Sequence, residues 1–268
     1  MNFYSFPFII FNMLKRITLI LFTALAFRSF GAVEFNQKVE VLARSFPIGA
    51  FSKFSLEAIN PLWGKRDHPK DITYGFFGAQ AEFRTSAVVN YVSGKAFIYP
   101  LPILGFFVGK ESGVKQIKKI DTFDCTKAVC EGKINREFAG VRLALGFKDI
   151  FFISENKLSN VKANDDSLQF VDEITTLLGS PGEDQTFVSL NILGTQLSEN
   201  QRAGLLFISN NMKKNVSNSK MLNGFYEHRF GEHSLISSAG FFQTRQEQKV
   251  ATFLFLYSWK TPSALRLF

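Results

Sequence analysis

The stretch Phe138–Gly146, with the sequence FAGVRLALG, alternates between large apolar residues and small or charged ones. In an extended chain, one face of this stretch carries Ala139, Val141, Leu143 and Leu145. The other face carries Arg142 among small residues. Successive side chains of a β-strand point to opposite faces, so the period of two predicts a strand with one apolar and one polar face.

The same alternation recurs along the rest of the chain. Phe77, Ala79, Ala81 and Phe83 alternate with Gly78, Gln80, Glu82 and Arg84, and Phe54, Leu56 and Ala58 alternate with Lys53, Ser55 and Glu57. Short polar turns separate such stretches. Thirteen candidate strands result, near 37–46, 51–60, 72–84, 87–98, 102–111, 114–125, 130–146, 149–157, 185–195, 201–211, 220–230, 234–243 and 248–260.

One polar segment, 158–184, has a different pattern from the strands. Within it, Leu168, Val171, Ile174 and Leu178 are spaced for one face of a helix, and Gly179 is placed to cap it. A short helix over Ser167–Leu178 is therefore the prediction for this segment. Longer polar loops are also predicted at 61–71 and 211–219.

The N-terminus has the features of a secretory signal peptide. Lys15 and Arg16 precede an apolar run at 17–27, and Ser29 and Gly31 place small residues for cleavage after Gly31. We expect residues 1–31 to be the signal peptide and 32–268 to form one domain; an uncleaved membrane anchor is the alternative. Loss of Lys15, Arg16 and Arg28 changes the formal net charge from +8 to +5 (8 − 3).

The composition excludes several classes of protein. With 46% hydrophobic and 20% charged residues, the chain is not of the disordered type. Two cysteines cannot form a four-cysteine zinc site. The lysines and arginines are scattered, so no nucleic-acid partner is expected. No phosphate-binding glycine loop or dinucleotide fingerprint is present, and no cofactor or metal is expected.

Charges in the middle of the candidate strands favour a barrel with a wet interior over a soluble sandwich. A sandwich core does not bury such charges without partners. Strands of about 9–13 residues also match the length that a tilted strand needs to cross a bilayer. We expect an all-β, antiparallel transmembrane β-barrel of about 12 strands, within a range of 10–14, whose lumen is lined by Lys53, Glu57, Gln80, Glu82, Arg84, Lys95, Arg142, Glu227 and Arg229.

Aromatic residues near the strand ends fit the same architecture. Aromatic rings favour the headgroup boundary of a bilayer, where one edge is apolar and the other hydrated. We expect the interface aromatics to be Trp63, Tyr74, Tyr99, Tyr257 and Trp259.

Two long stretches carry a resemblance to a known class of protein. They are YGFFGAQAEFRTSAVVNYVSGKAFIYPLPILGFFVGK (Tyr74–Lys110) and HSLISSAGFFQTRQEQKVATFLFLYSWK (His233–Lys260). The chain resembles Gram-negative outer-membrane β-barrel proteins of the porin-like class over Val39–Lys260. The resemblance implies an outer-membrane location, lipid as the surroundings and the barrel-assembly machinery as a partner. It also implies that a terminal aromatic helps assembly; Phe268 fits, whereas Pro262 and Arg266 depart from the usual apolar pattern.

The remaining candidates for chemistry are the cysteines and histidines. Cys125 and Cys130 flank a four-residue loop and would oxidise in an exported protein, so a disulfide is predicted. His68 lies in a polar loop. His228 and His233 lie near Glu227 and Glu232, but alternation sends neighbouring strand residues to opposite faces, which argues against a shared catalytic or metal site.

The function expected from these features is a narrow pore or passive transporter, or a structural membrane protein, with a charge-paired lumen. A barrel of about 12 strands is narrow, since wide aqueous channels need about 16–18 strands. A serine hydrolase needs a serine beside a histidine and an orienting polar group, and no sequence context singles out one serine, so an enzyme is not expected. Two alternatives stay open: an outer-membrane enzyme that hydrolyses lipid or peptide, and a soluble periplasmic β-protein that binds an apolar ligand.

Overall fold

The computed structural model describes residues 33–64, 72–86, 88–116, 123–172 and 175–261. The predicted signal peptide, His68 and Phe268 lie outside the described residues. Within the described residues, no helix has the length and apolar character needed to span a membrane.

Twelve long strands form the body of the molecule. Each has 11 to 16 residues, and each matches one of the candidate strands inferred from the alternating pattern. They are β1 (Glu34–Arg44), β2 (Gly49–Trp63), β3 (Gly75–Thr85), β4 (Val89–Leu101), β5 (Leu104–Lys115), β7 (Gly132–Phe147), β8 (Ile150–Ala163), β11 (Glu183–Ser198), β12 (Gln201–Met212), β13 (Ser217–Phe230), β14 (His233–Gln243) and β15 (Lys249–Lys260).

These strands pair antiparallel with their neighbours and close into a barrel. The first and last strands complete the circle, with Lys38 opposite Lys260 and Arg44 opposite Leu254. Closure leaves no unpaired strand edge, which is the condition for a β-structure to cross a membrane. The prediction of an antiparallel transmembrane β-barrel of 12 strands is confirmed.

One of the thirteen candidate strands, 114–125, is not a strand of the barrel, and its prediction was wrong. Its first residues extend β5, because Gly113 and Val114 continue the alternation and Lys115 still pairs with Gly132 of β7. Residues 117–122 lie outside the described residues, and Cys125 lies in a turn. The long loop predicted at 211–219 is likewise only a four-residue turn between β12 and β13.

The helix predicted over Ser167–Leu178 was also wrong. This segment forms a hairpin of two short strands, β9 (Gln169–Asp172) and β10 (Leu177–Gly179), with Leu178 opposite Val171. β9 also pairs in parallel with β6 (Ala128–Val129). Phe170 and Leu177 are fully buried against side chains of distant strands, and this tertiary burial outweighs a helical spacing of only four residues.

The two ends of the barrel differ. At one end, four of the five connections between strands have two residues each, at 102–103, 148–149, 199–200 and 231–232, and the fifth, 64–74, has eleven; we name it the short-turn end. Gly231 adopts a φ of 64°, the left-handed conformation that two-residue hairpin turns favour. The other end carries the longer segments between β5 and β7 and between β8 and β11. They contain β6, β9 and β10, the three strands that we name the plug sheet, and we name this end the plug end.

The outer face of the barrel is largely apolar. The residues that alternate with the lumen positions include most of the exposed large hydrophobic side chains: examples are Phe54, Phe83, Phe106, Leu205, Phe241, Phe253 and Phe255. Such a face is stable in contact with lipid and costly in contact with water. It agrees with the predicted outer-membrane location and accounts for many of the 32 phenylalanines.

Candidate functional site

The inner face of the barrel holds all nine residues that the sequence predicts for the lumen. Cross-strand partners share a face, and the register joins Lys53 to Arg84, Glu57 to Gln80 and Gln80 to Lys95. The same face continues around the barrel to Arg142, to Glu227 opposite Arg202, and to Arg229 opposite Ser234. Glu82 alternates with the outward-facing Phe83 and also lies on this face.

The plug sheet closes the plug end of the lumen. Its Phe170 and Leu177 pack against Tyr91, Ile134 and Met212, which belong to the inner faces of β4, β7 and β12. Since those strands lie on different sides of the barrel, the plug sheet extends across the opening. The side chains of Phe170 and Leu177 therefore lie inside the barrel.

Polar contacts also hold the plug sheet to the wall. The Nζ of Lys115 donates to the carbonyl oxygen of Val171 at 2.6 Å. The hydroxyl of Ser219 donates to the carbonyl oxygen of Thr175 at 2.7 Å, and the side-chain amide of Asn215 donates to the carbonyl oxygen of Leu178 at 2.8 Å. These bonds engage backbone carbonyls near the tip of the hairpin, so they fix its position in the lumen.

An ion network connects the wall to the plug sheet. The carboxylate of Glu111 accepts from the Nη2 of Arg84 at 3.0 Å and from the Nη1 of Arg136. Arg136 reaches Asp172 of β9 at 3.4 Å. The two guanidinium groups lie over the ring of Tyr91, at 4.6 Å for Arg84 and 5.0 Å for Arg136. Two cations and two carboxylates thus form ion pairs in a mostly buried place.

A second chain of ion pairs lies on β1, β2 and β3. Lys53 pairs with Glu40 and lies 3.9 Å from Glu82. Glu40 also pairs with Lys38, at 2.7 Å. Near the short-turn end, the carboxylate of Glu227 accepts two bonds from Arg229, at 2.7 and 3.2 Å. The structure therefore brings Lys53, Glu82, Arg84, Glu227 and Arg229 into charge pairs.

Aromatic rings fill the lumen beside β2–β5. Phe76, Phe97 and Phe107 are buried together with Tyr74, and Phe76 stacks on Tyr99 with ring centroids 4.6 Å apart. The expected interface positions of Tyr74 and Tyr99 are thereby corrected. Both rings continue the inward-facing series of their strands, and Tyr74 is only 1% exposed. Lys95 lies over the rings of Phe97 and Phe107, at 6.0 and 5.6 Å.

Glycines on the inner face make room for these rings. A Cβ on Gly140 would lie 2.3 Å from the ring of Phe107 and 2.5 Å from the carbonyl oxygen of Asn156. Gly105 is covered in the same way by the ring of Tyr99. The absence of a side chain lets an aromatic ring lie flat on the neighbouring strand, which makes this half of the lumen dense.

The other three predicted interface aromatics lie at the short-turn end on the outer face. Trp63 is about half exposed, at 48%. The phenolic oxygen of Tyr257 is 2.7 Å from the Nδ1 of His233, and the Nε1 of Trp259 donates to Glu232 at 3.1 Å. Each of the last two rings has an apolar body on the outer face and a polar tip in contact with a turn or its flank. This is the arrangement expected of aromatics at a membrane boundary.

The half of the lumen next to β11–β15 contains a cavity of about 570 Å³, which we name the lumen cavity. Its lining includes the turn residues Gly231 and Glu232, so it reaches the short-turn end. Of the predicted lumen residues, Glu57, Gln80, Arg142, Glu227 and Arg229 line it. The cavity thus lies at the opposite end of the lumen from the plug sheet.

The predicted disulfide between Cys125 and Cys130 is confirmed. It closes the short loop that contains β6, and Cys130 packs with Val171 of β9. In the same loop, the hydroxyl and backbone amide of Thr126 both donate to Asp124, at 2.6 and 3.0 Å. These hydrogen bonds lower the pKa of the Asp124 carboxyl below its usual value.

Several residues of the site were missed by the sequence reasoning. Arg136 has the same parity as Arg142 in one candidate strand, and Lys38 and Glu40 have the same parity in another, so a signal for all three existed. Glu111 was hidden by the strand break expected after it. Asp172 was hidden by the helix assigned to its segment. Arg202 and Lys260 lay at the ends of candidate strands, where a polar residue also suits a turn.

Both histidines of the described chain, His228 and His233, lie on the outer face of the sheet, where the ring of Phe230 stacks on each of them. His228 points outward and Glu227 inward, as alternation required. Among the described residues, no group of three or more histidine, cysteine or acidic side chains is placed to hold a metal ion. Within the same part of the chain, His233 contacts Tyr257, and no serine hydroxyl bonds either histidine.

Comparisons with solved structures return bacterial outer-membrane barrels at low similarity. A loop-deletion mutant of OmpT, an outer membrane protein of Vibrio cholerae, is 7% identical, with 87% of this chain and 100% of that chain covered and a TM-score of 0.41. The β-domain of the Bordetella autotransporter BrkA is 10% identical, with coverage of 85% and 99% and a TM-score of 0.40. The translocator domain of the autotransporter NalP from Neisseria meningitidis is 8% identical, with coverage of 92% and 95% and a TM-score of 0.33.

No protein-family model and no curated protein matches the sequence. Identities and TM-scores as low as those of the solved structures assign neither a family nor a function.

Proposed function

We propose that this protein is a passive transporter of the bacterial outer membrane whose resting lumen is closed by the plug sheet. The observation that carries the proposal is the difference between the two ends of the lumen. One end is covered by a short sheet, joined to the wall by side-chain bonds such as Lys115 to Val171 and Ser219 to Thr175. The other end leads into the lumen cavity.

The turn lengths support an orientation in the membrane. Outer-membrane barrels have short periplasmic turns and longer extracellular segments. On this basis the short-turn end faces the periplasm and the plug end faces outward. A solute from outside then meets the plug sheet first and the lumen cavity second.

The experiment is conductance across planar lipid bilayers. Ala163 and Gly182 flank the hairpin and are joined by a backbone hydrogen bond of 2.8 Å, so residues 164–181 can be replaced by an Asn-Gly turn. The parent protein should show rare, brief openings, and the plug-deleted barrel should show a steady small conductance. The double variant Asn215→Ala/Ser219→Ala, which loosens the hairpin without deleting it, should open more often than the parent.

Folding is checked by the heat-modifiable gel migration that folded barrels display. A plug-deleted protein that folds but never conducts would refute the transporter and favour a structural membrane protein. The hydrolase alternative is tested separately with the refolded parent protein, by measuring release of fatty acid from phospholipid and of fragments from a peptide. Activity lost in a single serine or histidine variant would favour an enzyme.

A further inference from the structure

The lumen cavity has an apolar wall, which is unusual for the interior of a membrane barrel. The apolar wall consists of Leu42, Ile208, Met221, Ile236, Leu254 and Leu256. The register joins Leu42, Leu256 and Ile236 into one patch and Ile208 and Met221 into a second, and both patches line the cavity. A lumen that conducted only ions or small polar solutes would gain nothing from this surface, since exposing it to water is costly.

The entrance to the same cavity is cationic. Arg142, Arg202 and Lys260 line it from three sides of the barrel, on β7, β12 and β15; we name them the cationic mouth. Among the described residues, none of the three has a carboxylate within ion-pair distance. Arg202 donates its Nε to the side-chain oxygen of Gln196 at 2.6 Å and lies over the ring of Phe151.

Four acidic residues also line the cavity, and they have partners of their own. Glu227 is held by both bonds from Arg229, and Glu40 is held by Lys38 and Lys53. Glu232 accepts from Trp259 on the outer side, and Glu57 has interactions of its own. Glu227 also faces Arg202, but both of its oxygens accept from Arg229, so Arg202, Arg229 and Lys260 around this one carboxylate keep a net positive charge for a ligand.

Two buried polar side chains that line the cavity on β1 and β2 also lack hydrogen-bond partners within the described chain. Asn36 is 8% exposed and Ser55 is 3% exposed, and both face the lumen from β1 and β2. Within the described chain, neither the amide of Asn36 nor the hydroxyl of Ser55 has a hydrogen-bond partner. An unbonded buried polar group is unfavourable, so these two side chains point to a polar group of a bound molecule.

From these observations we propose that the lumen cavity binds a single-chain anionic amphiphile. The alkyl chain lies along the apolar wall, and the carboxylate or phosphate head lies at the cationic mouth, within reach of guanidinium and ammonium donors. The cavity volume of about 570 Å³ falls within the ordinary range for small-molecule sites. This inference deepens the proposed transport function by naming the class of molecule that the lumen accepts.

The test measures binding to the plug-intact protein in nanodiscs of zwitterionic phosphatidylcholine, with empty nanodiscs as the blank. The probe is dansyl-aminoundecanoic acid, whose fluorescence reports an apolar site. We expect saturable binding at one probe per barrel. Dodecanoate or dodecyl phosphate should displace the probe. The competitor that displaces it at the lower concentration shows whether the site prefers a carboxylate or a phosphate head. Dodecyltrimethylammonium should not displace it.

Two sets of variants locate the site. Arg202→Gln/Lys260→Gln should weaken probe binding by about tenfold, as expected for lost charge-assisted hydrogen bonds. Lys162→Gln/Lys220→Gln, with the same loss of charge on outward-facing positions near the plug end, should leave binding unchanged. Ile236→Trp fills the cavity and should weaken binding by tenfold or more, whereas the adjacent Leu235→Trp faces outward and should not.

Several outcomes would overturn the proposal. They are a probe signal no greater than that of empty nanodiscs, equal displacement by the cationic amphiphile, and equal effects of Ile236→Trp and Leu235→Trp in proteins that both fold. The assay needs no opening of the plug sheet. If the parent protein binds the probe but the plug-deleted barrel does not conduct, the transporter is refuted and the ligand site stands. If the plug-deleted barrel conducts but the parent protein does not bind the probe, the ligand site is refuted and the transporter stands.

Discussion

Replacing Glu111 with glutamine removes the carboxylate that Arg84 and Arg136 share. The side chain of Glu111 is only 13% exposed, and those of Arg84 and Arg136 are 18% and 8% exposed. In the variant, two guanidinium groups remain near the ring of Tyr91, and Asp172 stays as the carboxylate in contact with Arg136. Removing one partner of a buried pair leaves uncompensated charge in a poorly solvated place.

Breaking a buried pair costs about 3–5 kcal/mol. Glutamine still offers a carbonyl oxygen to one guanidinium, so the expected loss for Glu111→Gln is at the low end, about 3 kcal/mol. With a urea slope of roughly 2–3 kcal/mol per molar, the unfolding midpoint should fall by about 1–1.5 M. The measurement is urea unfolding of the barrel refolded in phospholipid vesicles, followed by tryptophan fluorescence and by heat-modifiable migration.

The matched control is Lys110→Gln, in an outward-facing pair with Glu137 whose side chains are 79% and 57% exposed. Exposed pairs contribute about 0–1 kcal/mol, so this midpoint should move by less than about 0.5 M. If Glu111→Gln shifts the midpoint no more than Lys110→Gln does, the network does not stabilise the lumen. A second check is Glu111→Gln/Asp172→Asn, which should lose more than either single change, because Arg136 then has neither carboxylate.

Three further predictions follow from the structure. Gly140→Val should cost about 1–3 kcal/mol in the same urea assay, because its side chain meets Phe107 and Asn156, whereas Gly94→Val has open space and should be neutral. Phe255→Arg, on the lipid-facing side of β15, should cost about 2–4 kcal/mol, and Ile236→Arg, facing the lumen opposite Glu227, should cost less; equal losses would contradict the assignment of faces. Cys125→Ser/Cys130→Ser should lose about 2 kcal/mol locally, from the short loop that the disulfide closes. Trypsin should then cut at Lys127 roughly tenfold faster or more, while the barrel's urea midpoint stays in place; an unchanged cutting rate would show that the disulfide does not restrain this loop.

Much of the barrel could be predicted because side-chain alternation is a local property of an extended backbone. Once a strand is identified around Lys53, Arg84 or Glu227, the face of every residue in it follows from its parity. This is why all nine predicted lumen residues lie on one face. Tyr99 shows the limit of using position alone. It was assigned to the membrane boundary because it stands near a strand end, although it shares the parity of Lys95 and Phe97.

The plug sheet could not be predicted in the same way. β9 and β10 have only four and three residues, too few for a period to be measured. Phe170, Val171 and Leu177 are buried by side chains from far along the chain, such as Tyr91, Met212 and Ala128. The strand conformation of this segment depends on the barrel that surrounds it.

The sequence by itself determined that this protein is an antiparallel barrel with an apolar outside and a charged inside, because both properties follow from a period of two along each strand. Only the tertiary structure decided what the lumen contains. Closure of β1 on β15 places Leu42 beside Leu256, and the folding of distant segments inward covers the plug end. Contacts between residues more than two hundred positions apart leave no periodic signal, so the lumen cavity becomes visible only when the circle of strands is complete.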